Sequence, residues 1–383
     1  MTADDELVLD RIDQLAPRLL DLSHALHADP ELAYQEVRSA ARCADLLASG
    51  GFDVERGAYG LPTAFAARGG YDDGPHLVIC AEYDALPGVG HACGHNIIAA
   101  SAIGAGLGLL PVAARAGLRL TVLGTPAEES GGGKVDLILA DAFKGVDAAM
   151  MMHPAPYDSP GSVGLAIEEW SVVVHGKASH ASAEPHLGRN ALDGVVAGYA
   201  AIAMLRQHLR SHQQVHGIIT SGGDAPNVVP ERAAAAYYLR AADMADLDDL
   251  RARVRACLEG AATSTGTTVE ISPKGHVYEP LRQNPGLVAA FARACETIHR
   301  PLTPDPAGPR ISGSTDFGNV SQLVPGLHAD LSVHSWPAVN HQHEFAAHCV
   351  SPDGDRTLLE GAKAMALTAL AFAEDPRLVE KRT

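Results

Sequence analysis

The stretch Gly90-His91-Ala92-Cys93-Gly94-His95 sets one thiol and two imidazoles within six residues. Cys93 and His95 are two apart, so in extended backbone both side chains project to one side and can share a metal ion. The same spacing suits a buried thiol beside a helix-capping histidine. Upstream, apolar HLVIC at 76–80 runs into Ala81-Glu82-Tyr83-Asp84-Ala85-Leu86-Pro87 and sets carboxylates at a strand end. Asp84 there can orient a metal-bound histidine through its second ring nitrogen, or cap a turn before Pro87. Glu128 and Glu129 close the segment LRLTVLGTPAEES just before a Gly triplet. Adjacent side chains diverge at a strand end, so one carboxylate can bind metal while the other faces the water it must deprotonate. A solvated acidic pair is the plainer alternative. His153 follows AAMMM at 148–152, with Pro154 expected to stop that strand, and Val339-Asn340-His341-Gln342-His343-Glu344-Phe345 offers two further imidazoles.

These groups need strand ends to hold them. Amphipathic stretches near 5–28 and 36–49, the strands at 76–80, 118–124 and 148–152, and a Gly/Ala-rich helix after His95 alternate as in an α/β layered sheet, where chemistry lies at strand ends. From Trp170 the pattern changes. EEWSVVVHG, a helix over about 189–209, HGIITSG, AAAAYYLRA, a helix from Asp246 to about Thr263 and TVEISPKGHVY read as strand, helix, two strands, helix, strand. This predicts an α+β ferredoxin-like domain at 168–278, inserted into a three-layer α/β domain of 1–167 and 279–383. The latter resumes with a helix near 285–299, a Pro/Gly-rich loop at 301–313, a strand near 328–334 and a helix near 354–373.

At 383 residues the chain is long for one domain. A net charge of −17 argues against a polyanion partner that needs a basic face, so no nucleic acid is expected. Asn96 to Val112 reads as a buried helix rather than a membrane span. The N-terminal MTADDELVLDRID is acidic where a secretion signal needs basic residues, and six scattered cysteines show no disulfide framework. No membrane partner and a cytoplasmic location are expected.

His27-Ala28-Asp29-Pro30-Glu31-Leu32, Asp84-Ala85-Leu86-Pro87 and His91-Ala92-Cys93-Gly94-His95 together match signatures of a known family. The chain resembles, over nearly its whole length, the aminoacylase and glutamate-carboxypeptidase family of dinuclear metallopeptidases. The resemblance is strongest to its amidohydrolase branch of aminobenzoyl-glutamate hydrolases, β-alanyl-lysine dipeptidase and auxin-conjugate hydrolases. It implies a phosphorylase/hydrolase-like catalytic domain with an inserted lid domain that dimerises. It implies two divalent metals on Cys93, His95, Glu129, His153 and His341, with Glu128 as general base. His341 is preferred to His343 because the family has an aromatic residue four positions on, here Phe345. Asn96 departs from the Asp usual in auxin-conjugate hydrolases, which favours the aminobenzoyl-glutamate or dipeptide side; it also suits a helix cap.

In the insert, His175-Gly176-Lys177-Ala178-Ser179-His180-Ala181-Ser182 continues the resemblance, which implies that His180 reaches a second subunit's site and helps polarise the scissile carbonyl. Asn227 and Arg240 match substrate-binding residues of the lid, Arg240 as a fork for a carboxylate. The loop Ile311–Gly318 resembles one that presents backbone donors, at Gly313 and Ser314, to the substrate.

The expectation is hydrolysis of the amide bond in a small N-acyl amino acid or dipeptide by a homodimer, with zinc favoured by the Cys/His donors and manganese the alternative. Two other readings compete. One is a cysteine hydrolase with Cys93 as nucleophile and His91 or His95 as base. The other is a catalytically silent metal- or ligand-binding homologue.

Overall fold

The computed structural model describes residues 1–303 and 311–379. Much of the expected Pro/Gly-rich loop at 301–313 lies outside the described residues. The chain forms two compact units, one of Met1–Val163 with Leu281–Thr383 and one of Gly164–Pro280.

The first unit is built on a six-stranded sheet. In chain order its strands are β1 (Asp53–Arg56), β2 (Phe65–Gly70), β3 (His76–Ala81), β4 (Arg119–Gly124), β5 (Ala148–Ala155) and Gly326–Ser332. Their spatial order is β1-β2-β4-β3-β5 and then Gly326–Ser332. The last four are mutually parallel where they pair, whereas β1 and β2 are antiparallel additions at one edge. β3 and the Gly326–Ser332 strand are buried throughout, as expected of parallel strands covered on both faces. β1 and β2 are not expected from sequence. DVER is polar and exposed, and FAARGG has neither alternation nor β-branched residues, so neither carries the usual strand signal. β5 also runs on through Pro154, contrary to expectation. β3 pairs with β5 only as far as Met150, while Gly326–Ser332 pairs along its whole length. The N–H that proline lacks is therefore not required by a strand on the β3 side.

Helices cover the sheet. α1 (Ala3–Ala28) opens on a capping box in which Thr2 and Asp5 satisfy each other's backbone N–H. α2 (Val37–Ser49) follows, and α3 (His95–Ala113) is buried on all sides by α1, the sheet and the Pro352–Glu374 helix. Its glycines allow that. A methyl group at Gly104 would lie 2.8 Å from Leu19, one at Gly106 2.4 Å from Val122, and one at Gly108 2.7 Å from Ile12. α3 is long and apolar enough to cross a membrane, but 89% of its most apolar window is buried within the fold. It is a core helix.

The second unit has the order strand, helix, two strands, helix, strand. Its antiparallel sheet runs Thr268–Tyr278, Ala166–His175, Arg232–Ala241, Gln214–Ser221. Along Ala166–His175 alternate residues are buried, so Trp170, Val172 and Val174 meet Val195 and Ile202 of the Ala191–Leu205 helix and Leu250, Val254 and Leu258 of the Met244–Thr265 helix. That is a ferredoxin-like open-faced sandwich.

One buried imidazole gives the first unit a pH response. His76 opens β3, and its Nε2 pairs with Thr121 Oγ1 at 2.9 Å. Burial, then nearby Arg119, push its pKa down to about 4. Below pH 6.5 the unfolded chain takes up a proton here that the folded chain refuses, so stability is lost as pH falls from 6.5 to about 4. The full loss is on the order of 3 kcal/mol. A His76→Gln variant is expected to show a flatter melting-temperature profile across that window; a profile parallel to that of the parent protein would contradict the assignment.

Candidate metal centre

Three parallel strands deliver the site. β3 ends at Ala81 and releases Glu82 and Asp84; β4 ends at Gly124 and releases Glu128 and Glu129; β5 carries His153. All lie at the carboxyl ends of the strands, as the α/β layer requires. Cys93 and His95 arrive differently from expectation. The backbone between them is not extended: Gly94 takes a left-handed conformation (φ 75°) as the N-cap of α3, and His95 is that helix's first residue. A methyl group at Gly94 would lie 2.4 Å from Pro154 Cγ, so the turn needs glycine for both conformation and space. Asn96 is no cap either. Its Nδ2 donates to Ser23 Oγ at 2.8 Å and to the Cys349 carbonyl at 3.1 Å, tying α3 to two other elements.

Three three-residue groups result among the described residues: one of them joins Glu82, His95 and Glu128, and the other two share Cys93. Cys93, His95 and His153 offer ligand atoms within 4.8 Å of one another, and so do Cys93, Glu129 and His341. Cys93 is the residue that both of these groups would need in order to hold metal. His341 also stands at positive φ (71°), with its N–H bonded to the Ala92 carbonyl at 2.9 Å and its Nε2 3.7 Å from Glu129 Oε2. His343 opens the next short helix, His343–His348, and is in none of the ligand groups found among the described residues. Phe345 in that helix is fully buried.

The donors are prepared for cations. His95 Nδ1 pairs with Asp84 Oδ1 at 3.0 Å, and Asp84 Oδ2 accepts the Glu129 N–H at 2.9 Å, so one carboxylate orients a ring and the glutamate loop together. His153 Nδ1–H donates to the Pro154 carbonyl at 2.8 Å, which leaves Nε2 with its lone pair. Burial, then His328 stacked 5.6 Å away, push His153 down to about 3 and keep it neutral. His95 Nε2 and Glu129 Oε1 are buried with no hydrogen-bond partner. Buried atoms left without a partner, in a shell of imidazole, thiol and carboxylate, fit divalent metal.

Electrostatics point the same way. Burial and then Glu129 push the Cys93 thiol well up, so the thiolate that either a ligand or a nucleophile needs forms only beside added positive charge. Burial, then Glu82 and Glu129, push Glu128 well up, and burial raises Glu129 as well. His91, the other base of the cysteine reading, is driven down to about 3 by burial and then by His95, and it stacks on His27 at 6.3 Å.

Sequence reasoning gives three further groups no role. Glu36 is fully buried and accepts the Ala127 N–H at 2.8 Å, which braces the loop before Glu128. Lys134, in α4 (Gly133–Leu139), and Asp316 are also fully buried, with Lys134 Nζ donating to Glu82 Oε1 at 2.5 Å and to Asp316 Oδ1 at 2.6 Å. The only available signal is a lysine directly after a Gly triplet that follows paired glutamates.

In the second unit, His180 is exposed and its Nδ1 accepts the N–H groups of Ser182 and Ala183 at 3.3 and 3.2 Å. The ring proton therefore sits on Nε2, which is a donor. Ala181 N–H bonds to the Asn227 carbonyl at 3.0 Å, bringing the His180 and Asn227 loops together. Arg240 lies half-buried on the Arg232–Ala241 strand with its guanidinium 5.8 Å from the Tyr238 ring centre. In the first unit Gly313, at φ 125°, ends the short strand Ile311–Gly313, and Ser314 follows it.

Residues 160–265 match the peptidase dimerisation domain of the M20 family. The Xaa-Arg dipeptidase of Mus musculus is 40% identical over 390 residues, covering 97% of this chain and 89% of its own. The chain belongs to the M20 metallopeptidase family. A p-aminobenzoyl-glutamate hydrolase component from Escherichia coli is 35% identical over 68% of the chain and 58% of that protein. The crystal structure of a dinuclear metal-binding M20 peptidase from Bacillus subtilis superposes with a TM-score of 0.72 at 22% identity, over 94% of this chain and 99% of that one, and shows the shared fold. Membership makes this M20 protein a metal-dependent amidohydrolase of small substrates.

Proposed function

We propose that this M20 protein hydrolyses dipeptides, with those carrying a basic C-terminal residue preferred, through a centre of two divalent cations on Cys93, His95, His153, Glu129 and His341. The observation that carries the reading is the pair of three-residue ligand groups sharing Cys93, with Glu128 alongside. When bound, such cations supply Lewis acidity that makes water a nucleophile near neutral pH and polarises the scissile carbonyl. Glu128, nearly buried and beside His95, takes the proton from the attacking water and returns it to the departing amine. Asp84 keeps His95 in one tautomer throughout. His180, supplied by a second copy of the chain, donates from Nε2 to the developing oxyanion, Arg240 and Asn227 bind the substrate with Arg240 taking its carboxylate, and Gly313 and Ser314 present backbone donors to it.

Zinc suits the thiol and imidazole donors, with manganese the second choice. A homodimer is supported by the matched dimerisation domain and by the edge strand Gln214–Ser221, where Ile218 and Ile219 are exposed. A cytoplasmic setting is supported by six cysteines that all remain free. The substrate preference draws on the mouse relative, whose similarity covers nearly the whole chain.

The test is a hydrolysis panel on protein loaded separately with zinc and with manganese. It compares Xaa-Arg and Xaa-Lys dipeptides, neutral dipeptides, N-acetyl amino acids and aminobenzoyl-glutamate. The basic dipeptides are expected to give the highest kcat/KM, from a species of dimer mass in sedimentation. Higher kcat/KM on the N-acyl substrates would overturn the dipeptide assignment.

A further inference from the structure

Glu82, the first residue beyond β3, has no exposed surface. Its Oε1 accepts from Lys134 Nζ, but its Oε2 is buried with no hydrogen-bond partner. That orphaned oxygen lies 3.5 Å from His95 Nε2, itself buried and without a partner because Asp84 engages the other ring nitrogen. A ring nitrogen and a carboxylate oxygen facing each other in a buried site need positive charge between them, either a proton on the ring or a cation. Burial opposes the proton, but Asp84, Glu82 and Glu129 favour it and push His95 well up. Glu82 Oε2 is also not alone: Glu82, His95 and Glu128 offer ligand atoms within 4.8 Å of one another.

Lys134 does not already supply the missing charge. Its ammonium is shared between Glu82 Oε1 and Asp316 Oδ1, and its backbone N–H donates to Asp316 Oδ2 at 2.9 Å. One cation thus serves two carboxylates, and a full negative charge is left over in a fully buried cluster. The ion pair instead fixes position. It ties the end of β3 to the start of α4 and to the residue before the Phe317–Leu323 helix, which leaves Glu82 one direction in which to point its second oxygen. A buried pair of this kind contributes little net stability and serves better to set geometry.

We propose that Glu82 is an additional carboxylate of the metal centre, held by Lys134 and Asp316 so that Oε2 contacts the cation bound by His95. This rests on the reading of the site as a metal centre. It adds a sixth donor residue, on the side of His95 away from Asp84, and makes Lys134 a positioning residue for the metal. The rival account is a second proton on His95 shared with Glu82. The two differ in what neutralising Glu82 does: loss of a ligand weakens metal binding, whereas loss of a proton partner leaves it unchanged or tightens it.

Metal-stripped parent protein, Glu82→Gln and Glu82→Asp are titrated with zinc against a chromophoric chelator, metal is counted by mass spectrometry, and cobalt(II) spectra are recorded. Melting of the metal-free forms checks folding. Aspartate keeps the charge that Lys134 needs while withdrawing the oxygen by one methylene, so it decides the matter should Glu82→Gln fail to fold. The parent is expected to bind two metals per chain, with one of them weakened about 10- to 100-fold in the variants and an altered cobalt spectrum. Parent-like affinity within about twofold and an unchanged spectrum would overturn the role of Glu82 alone. A parent that binds no metal would overturn the metal-centre reading beneath it.

Discussion

Glu128→Gln is expected to lower kcat on the best dipeptide by about 10²- to 10⁴-fold, with metal content and melting temperature unchanged. The size of the effect follows from the division of labour at the end of β4. Glu129 belongs to a ligand group with Cys93 and His341, while Glu128 faces His95 and Glu82 from the other side of the same turn. The amide keeps the shape and can still bond to water, but it cannot accept a proton. KM should therefore move little while kcat collapses. The low-solvent setting that raises Glu128's proton affinity is what lets a carboxylate serve as a base worth protonating. Rates within threefold of the parent protein would remove Glu128 from the mechanism and return attention to the catalytically silent reading.

The second large effect concerns Cys93. Chelation should abolish activity and stoichiometric zinc or manganese should restore it, and Cys93→Ala should lose both metals where His341→Ala loses one. Cys93 is the member common to the two ligand groups, so its removal breaks both at once, whereas His341 serves only the group with Glu129. Structural metal sites contribute binding free energy directly to the fold, so the melting temperature should fall with the metals. Thiol alkylation supplies the contrast with cysteine chemistry. The metal-loaded protein should keep its activity through it, since the thiol is nearly buried and proposed as a ligand. Activity that survives chelation but not alkylation would instead identify Cys93 as a nucleophile.

Which parts of this are readable in the residues depends on how local their cause is. The parallel strands at 76–81, 119–124 and 148–155 announce themselves as apolar runs, and the βαββαβ order of the insert is written in alternating periods. β1 and β2 are not legible because their pairing is imposed by an exposed sheet edge rather than by their own side chains. The Cys93–His95 pair is visible in the spacing, but the geometry is not: a glycine turn, rather than an extended strand, brings the two side chains together. Pro154 misleads similarly, since a proline ends a strand only where its missing N–H is needed. The Lys134–Glu82–Asp316 cluster cannot be read at all. Its members are separated by 52 and 182 residues and become a unit only when the tertiary fold removes water from all three.

That separation has a meaning for how the chain comes off the ribosome. When Lys134 and Glu82 emerge, Asp316 and the strand Gly326–Ser332 are still to be translated, and the whole Gly164–Pro280 unit intervenes. The nascent N-terminal half carries Cys93, His95, Glu129 and His153, but neither the acid that completes the lysine's surroundings nor the imidazole of His341. β5 meanwhile has an open flank waiting for its parallel neighbour. Parallel pairing across so long an interval is slow to form. The inserted unit, which has a hydrophobic core of its own, can fold while the larger one waits, and the ligand set proposed for the metals is complete only once His341 has been translated.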